Sequence, residues 1–183
     1  MIYNVDSIIR CGKVLQREDF VFFWGHVARV EKQMKTCLSQ WFPCSFLVEG
    51  FYYNCAEQFM MAEKARLFHD EDALQKIMQA YEPMEQKKIG RRVHGYDDAQ
   101  WKEHCFDIVV RGNVAKFSQN VKLRNFLLST GDKILVEASP KDVVWGIGLD
   151  EESHDAVNPK RWPGTNLLGF ALMEVRDKIK DKL

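Results

Sequence analysis

Phe46-Leu47-Val48-Glu49-Gly50-Phe51-Tyr52-Tyr53-Asn54-Cys55-Ala56-Glu57-Gln58-Phe59-Met60-Met61-Ala62-Glu63-Lys64-Ala65 changes its periodicity halfway along. Two short aromatic and branched runs, Phe46–Val48 and Phe51–Tyr53, flank Glu49-Gly50, which predicts a β-hairpin. From Asn54 onward the spacing is helical, and the pattern predicts a helix over about 55–68 with Asn54 as N-cap. Positions 57, 60, 61 and 64 fall on one face of that helix, which carries Glu57, Met60, Met61 and Lys64. At 1.5 Å per residue the two charged groups stand roughly 10 Å apart along the axis, too far to pair. Charges that flank methionines suit a pocket wall better than a core face. The plainer alternative puts the apolar face at 56, 59, 60 and 67, with Glu57 and Lys64 at its rim.

Outward from this stretch, helical patterns dominate. Phe20–Trp24, ended by Gly25, reads as a buried strand, and Val27–Met34 as a short helix or a loop excursion. Residues 1–19 are weakly patterned. Asp70-Glu71-Asp72 opens a second helix, and a third runs from Pro83 to Gly90. Asp97 or Asp98 caps a long fourth, with a stripe at Trp101, Cys105, Ile108, Val109 and Gly112. Residues 120–129 form another short helix, and Lys133–Ala138 a strand. Val143–Gly148 reads as a strand or tight loop, and Leu149–Thr165 as a polar loop with two prolines, too irregular for an element. Asn166–Lys180 closes as an amphipathic helix. The expected fold is α+β, helix-rich, one domain with a small β-sheet packed by several helices: residues 1–19 as an N-terminal extension and 20–183 as the domain.

Composition narrows the function. Lys and Arg number 26 against 26 Asp and Glu, so there is no footprint for bulk nucleic-acid binding. No apolar run is long enough for a transmembrane span, and no signal peptide is visible, so a cytoplasmic protein with no membrane partner is expected. Cys11, Cys37, Cys44, Cys55 and Cys105 show no CxxC and no zinc spacing, and read as reduced, mostly buried thiols. His26, His69, His94, His104 and His154 do not cluster, so no metal and no cofactor is expected. Walker, HExxH, GxSxG and complete GxGxxG motifs are absent. Three other spots stand out: Asp142 beside Trp145 and Gly146, where backbone could approach a ligand; Trp101, core by its stripe or at a pocket mouth; and Arg91-Arg92 with His94, a solvated turn or a phosphate holder.

An ordered set of motifs runs along the chain: Phe22-Phe23-Trp24-Gly25, Leu38–Pro43, Tyr53–Ala65, Gly90-Arg91 with Trp101, Arg111–Phe117, Leu123–Leu128, Val136–Gly146 and Asn166–Gly169. In this order they resemble the NADAR domain, or YbiA-like, family. The resemblance covers residues from about 20 to 181. It implies a YbiA-like domain that acts as an N-glycosidase, a hydrolase of N-glycosyl compounds, on one of two substrate classes. One is ADP-ribose attached to guanine, free or in nucleic acid; the other is the ribosylamino-pyrimidine phosphates of riboflavin synthesis. It implies Glu57 as the essential carboxylate, with Trp101, Asp142 and Trp145 in the site and Lys64 forming a Schiff base with the ribose. Trp24, Gly146, Arg91 and Asn166 join them as substrate contacts, Arg91 or Lys116 for phosphate. The chemistry suits these types: positive charge builds on the ribose as the bond breaks, and a carboxylate stabilises it or moves a proton. A lysine desolvated among methionines becomes nucleophilic, and tryptophan rings stack on bases. Ser39-Gln40-Trp41 departs from the Ser-Asn-Phe or Ser-Asn-Tyr of many relatives, and 149–165 is longer than in short ones. The rival expectations are an ADP-ribose or nucleotide-binding module that does not cleave, and an interaction protein of unrelated role.

Overall fold

A computed structural model describes residues 2–10, 12, 14–25 and 34–181. In chain order the helices are α1 Val5–Arg10, α2 Ala56–Leu67, α3 Glu71–Gln79, α4 Pro83–Gly90, α5 Asp98–Gln119, α6 Val121–Ser129 and α7 Leu167–Lys180. The strands are β1 Phe20–Phe23, β2 Phe46–Val48, β3 Phe51–Tyr53 and β4 Ile134–Glu137. The fold is α+β and helix-rich, as expected. The chain gathers into two compact units, one made of residues up to Ser39 with those from Lys122 onward, the other of Gln40–Val121.

In the first unit β1 pairs in parallel with β4, Phe20 opposite Ile134 and Phe23 opposite Glu137. A parallel pair needs a long crossover, and here all of Gln40–Val121 lies between the strands in sequence. α7 packs on β4, and the core holds Phe22, Phe23, Leu135, Val136, Leu168, Phe170 and Leu172. The weakly patterned start contributes α1, and Tyr3 donates from its hydroxyl to Asp177 on α7 at 2.6 Å. The segment 149–165 is less irregular than its composition suggests. It contains two 3-10 turns, His154–Val157 and Pro159–Arg161, opened by side-chain oxygens of Ser153 and Asn158. Val143–Gly148 is a tight turn with no strand. The expected helix or excursion at Val27–Met34 falls, through residue 33, outside the described residues, as do His26 and Cys11.

In the second unit β2 and β3 form the expected antiparallel hairpin, with Phe46 opposite Tyr53 and Val48 opposite Phe51. Glu49 and Gly50 both take positive φ, 50° and 84°, the geometry that suits a two-residue hairpin turn. α2 packs against α3, α4 and α5 at once, which is why it is buried on nearly every side. The α2–α5 contact is close because Gly112 has no side chain; a Cβ there would sit 2.4 Å from Cδ1 of Phe59.

Candidate active site

α2 begins one residue later than its sequence suggests. Cys55 is the N-cap, in extended backbone, with its sulfur accepting from the Gln58 N–H. Asn54 lies outside the helix and is a tether: its side chain donates to Tyr81 O at 2.9 Å and accepts from Gln86 Nε2 at 3.0 Å, while its N–H donates to Gln58 Oε1 at 2.8 Å. Burial, with the Glu57 charge adding to it, pushes the Cys55 thiol up to about 12, so it stays a neutral cap.

This start seats Glu57 inside the unit, with only 5% of its surface exposed. Its N–H donates to Gln40 O at 2.9 Å. The Gln40 side chain meets Asn113 of α5, whose Nδ2 donates to Gln40 Oε1 at 2.8 Å and to Val109 O at 2.9 Å. Those two bonds orient the amide, and among the described residues nothing donates to the fully buried Asn113 Oδ1. Lys116, one turn further along α5, is completely buried, its Nζ 5.1 Å from the Phe117 ring centroid and 5.8 Å from that of Phe42. An amine that deep is out of reach for the solvent-borne phosphate expected of it.

Lys64 lies seven residues beyond Glu57 on the same unbroken helix, about 10 Å along its axis. It too is buried, so neither residue sits at a solvated rim. Aromatic rings stand around its nitrogen. Nζ stands 4.1 Å from the Tyr96 ring centroid and 5.2 Å from that of Trp101. Among the described residues no carboxylate pairs with it. Burial first, and the Arg91 guanidinium second, hold its ammonium below the ordinary lysine range. The neighbouring Glu63 shows the opposite arrangement, bound by both Arg66 and Arg111.

Within this unit the structure therefore brings Lys64, Trp101 and Arg91 together, with Glu57 on the same helix. The other candidates belong to the first unit. Trp24 follows β1 and is 57% exposed. Asp142 Oδ1 accepts from Val144 N at 2.9 Å and Trp145 N at 2.8 Å, so this carboxylate shapes the turn that presents the half-buried Trp145. Gly146 is packed tightly; a Cβ would lie 2.8 Å from Glu137 O. Asn166 is fully buried, donating to Leu135 O at 2.9 Å and accepting from Glu137 N at 3.0 Å. Its amide is spent on joining β4 to the start of α7, an anchoring task where substrate contact was expected.

Tyr96, Gln40 and Asn113 were not read as site residues. Tyr96 lies in a turn where periodicity carries no information, and Gln40 and Asn113 show their chemistry only by meeting across 73 positions of sequence. Among the described residues no three His, Cys, Asp or Glu side chains are grouped to hold a metal ion. A shallow cleft of about 220 Å³ between Tyr52 and Tyr81 includes none of the candidate residues.

The model of the NADAR domain family matches residues 22–180. An N-glycosidase of Acanthamoeba polyphaga mimivirus is 43% identical over 169 residues, which span 90% of this chain and 98% of that protein. The chloroplastic riboflavin biosynthesis protein PYRR of Zea mays is 38% identical over 112 residues, 59% of this chain but 16% of that much longer protein. The solution structure of the E. coli protein YbiA superposes with a TM-score of 0.71 over 92% of this chain and 89% of that one, at 24% identity, a likeness of fold.

Proposed function

The chain belongs to the NADAR domain family, and we propose that it is an N-glycosidase, hydrolysing the bond between a ribose anomeric carbon and a base nitrogen. The observation that carries this reading is the pairing on α2 of a buried glutamate with a buried lysine that has aromatic rings, and no carboxylate, around its nitrogen. In this proposal Glu57 is the catalytic carboxyl group. It stabilises the positive charge that develops on the ribose and moves the proton between water or amine and the departing base. In the simplest balance, water supplies a hydroxyl to the anomeric carbon and a proton to the base nitrogen.

Lys64 offers a covalent route to the same products. Its neutral amine bonds to the anomeric carbon as the base departs with the bonding electron pair and takes a proton from the Glu57 carboxyl. The nitrogen then gives up a proton, which reaches the Glu57 carboxylate through water because the two residues stand about 10 Å apart along α2. The ring oxygen leaves with that proton as the nitrogen lone pair closes a C=N bond, and water later frees the lysine. The lowering of the Lys64 ammonium by burial and by Arg91 favours the neutral amine that this route needs.

Trp101 is the proposed ring surface beside Lys64, and Arg91 the phosphate contact, since it is exposed and adjacent. Trp24 and Trp145 keep accessible ring surface, and Asp142 shapes the turn that carries Trp145 and Gly146, so these remain in the proposal as base and hydroxyl contacts. The substrate is a small ribosyl compound, either ADP-ribosylated guanine, free or in nucleic acid, or a riboflavin-pathway ribosylamino-pyrimidine phosphate. A cytoplasmic setting belongs to the same reading: among the described residues Cys37, Cys44, Cys55 and Cys105 form no disulfide.

The test offers both substrate classes to wild-type and Glu57→Ala protein and follows free base by mass spectrometry. Wild-type protein releases base from one class, and Glu57→Ala loses about 10²- to 10⁴-fold in rate. Binding without base release at any protein level would instead establish the non-cleaving binding module.

A further inference from the structure

We propose that Tyr96 is a positioning residue for Lys64, its ring and that of Trp101 forming a two-walled cage that holds the lysine nitrogen in place at the ribose. The role at the ribose rests on the N-glycosidase reading; the cage itself does not.

The cage is built from one short stretch. His94 N donates to Asp70 Oδ2 at 2.7 Å, anchoring the approach. Gly95 then takes φ 68°, a left-handed bend that favours glycine. Tyr96 follows, and Asp97 caps α5 by accepting from Gln100 N at 2.7 Å. The capped first turn carries Trp101, so one turn and one helix start supply both walls. Tyr96 is held on two further sides. Its hydroxyl donates to Asp98 Oδ1 at 3.0 Å, and its ring meets Phe68 edge-on at 5.4 Å. A ring so fixed, although 44% exposed, is pre-organised for the cation 4.1 Å from its centroid.

The charged groups around Lys64 make the cage necessary. Arg91 repels the ammonium, Asp98 is engaged by Lys102 at 2.6 Å and by Tyr96, Asp70 is engaged by the backbone of Ala73 and His94, and Glu57 is two turns back along α2. With no carboxylate to hold it, a flexible four-carbon side chain is placed by the attraction of ring faces for a cation. Burial and Arg91 favour loss of its proton, and the rings keep the nitrogen where that loss is useful.

The experiment uses Tyr96→Leu and Tyr96→Phe in the full chain, with two readouts. The first needs no substrate: the pH midpoint of Lys64 acetylation by acetic anhydride, read by peptide mass spectrometry. Without the ring the ammonium loses stabilisation, so the midpoint of Tyr96→Leu moves to lower pH, and Tyr96→Phe restores it. The second is turnover. Tyr96→Leu loses roughly tenfold in kcat with little change in KM, as expected for one cation–ring contact, and Tyr96→Phe recovers most of that rate. Lys64 would then be more reactive to a small reagent and less effective in catalysis, a split that general loosening does not produce. An unmoved or raised midpoint in Tyr96→Leu overturns the cage. Equal losses of rate in both variants overturn the role of the ring. If wild-type protein releases base from neither substrate class, the N-glycosidase reading fails and the placement at the ribose with it, while the midpoint still decides the cage.

Discussion

α2 and α7 are both buried along most of their length, and both bury charge, but they treat it in opposite ways. On α7 the Arg176 guanidinium donates to Thr130 Oγ1 at 2.9 Å and Lys133 O at 2.8 Å, and Glu174 accepts from Ile2 N. On α2, Lys64 meets two ring faces and a second cation. A buried charge that is hydrogen-bonded holds structure together. A buried charge with a like charge beside it and no carboxylate is more easily neutralised, which is what a nucleophile requires. Burial alone does not distinguish the two helices; the partners do.

The contrast breaks most decisively at its two charges. Lys64→Met is expected to remove any borohydride-trapped substrate adduct and to lower turnover by at least about a hundredfold, in line with loss of a catalytic side chain. It should also stabilise the protein at neutral pH. Because Lys64 is depressed in the folded state, mainly by burial, its protonated form costs stability below its folded pKa. That cost is relieved as pH rises through the folded value, so the gain in Tm from Lys64→Met should shrink toward alkaline pH. A variant less stable than wild type at pH 7 would place Lys64 with Arg176 as a structural charge.

Arg176→Met should do the reverse. It leaves two acceptors without their donor and should cost roughly 2–3 kcal/mol in denaturant unfolding, with turnover per folded molecule unchanged. The packing that buries α2 is tested by Gly112→Ala, whose Cβ would press on Phe59 at 2.4 Å. A loss of about 1–2 kcal/mol is expected, read as a lower unfolding midpoint. The smallest effect is at the start of α2. Cys55→Ser keeps a capping acceptor and should change stability by less than about 1 kcal/mol. The native thiol, held at about 12, should resist iodoacetamide at pH 8 until the protein unfolds.

Much of the scaffold was legible because its signals are local. Glu49-Gly50 between two aromatic runs, Asp70-Glu71-Asp72 opening a helix, a cap at Asp97 or Asp98, and Pro83 opening a helix each act within a few residues, and the structure carries them, with Asp97 as the cap. Other features were hidden because their causes are distant in sequence. Asn54 is the better capping residue by type, but Gln86 and Tyr81 engage its side chain, and Cys55 takes the cap. The periodicity of α2 offered a rim or a wall for Glu57 and Lys64, and only packing by three neighbouring helices makes both residues internal. Asn166 looked like a contact residue from its motif, and its αL backbone with two bonds to β4 shows an anchor. α1 lacked a pattern because six residues docked on the turn Pro159–Arg161, far along the chain, need no strong periodicity of their own.

The sequence by itself determined the family, the α+β class, the order of most helices and strands, and the identity of the carboxylate and amine worth testing. These follow from motif order and from short-range backbone preferences. The tertiary structure decided which charges are paired, which are disfavoured by burial, and what surrounds them. The protonation of Lys64 and the orientation of Asn113 depend on groups that the fold brings within a few ångströms from distant parts of the chain, and the strength of those interactions depends on how far water is excluded.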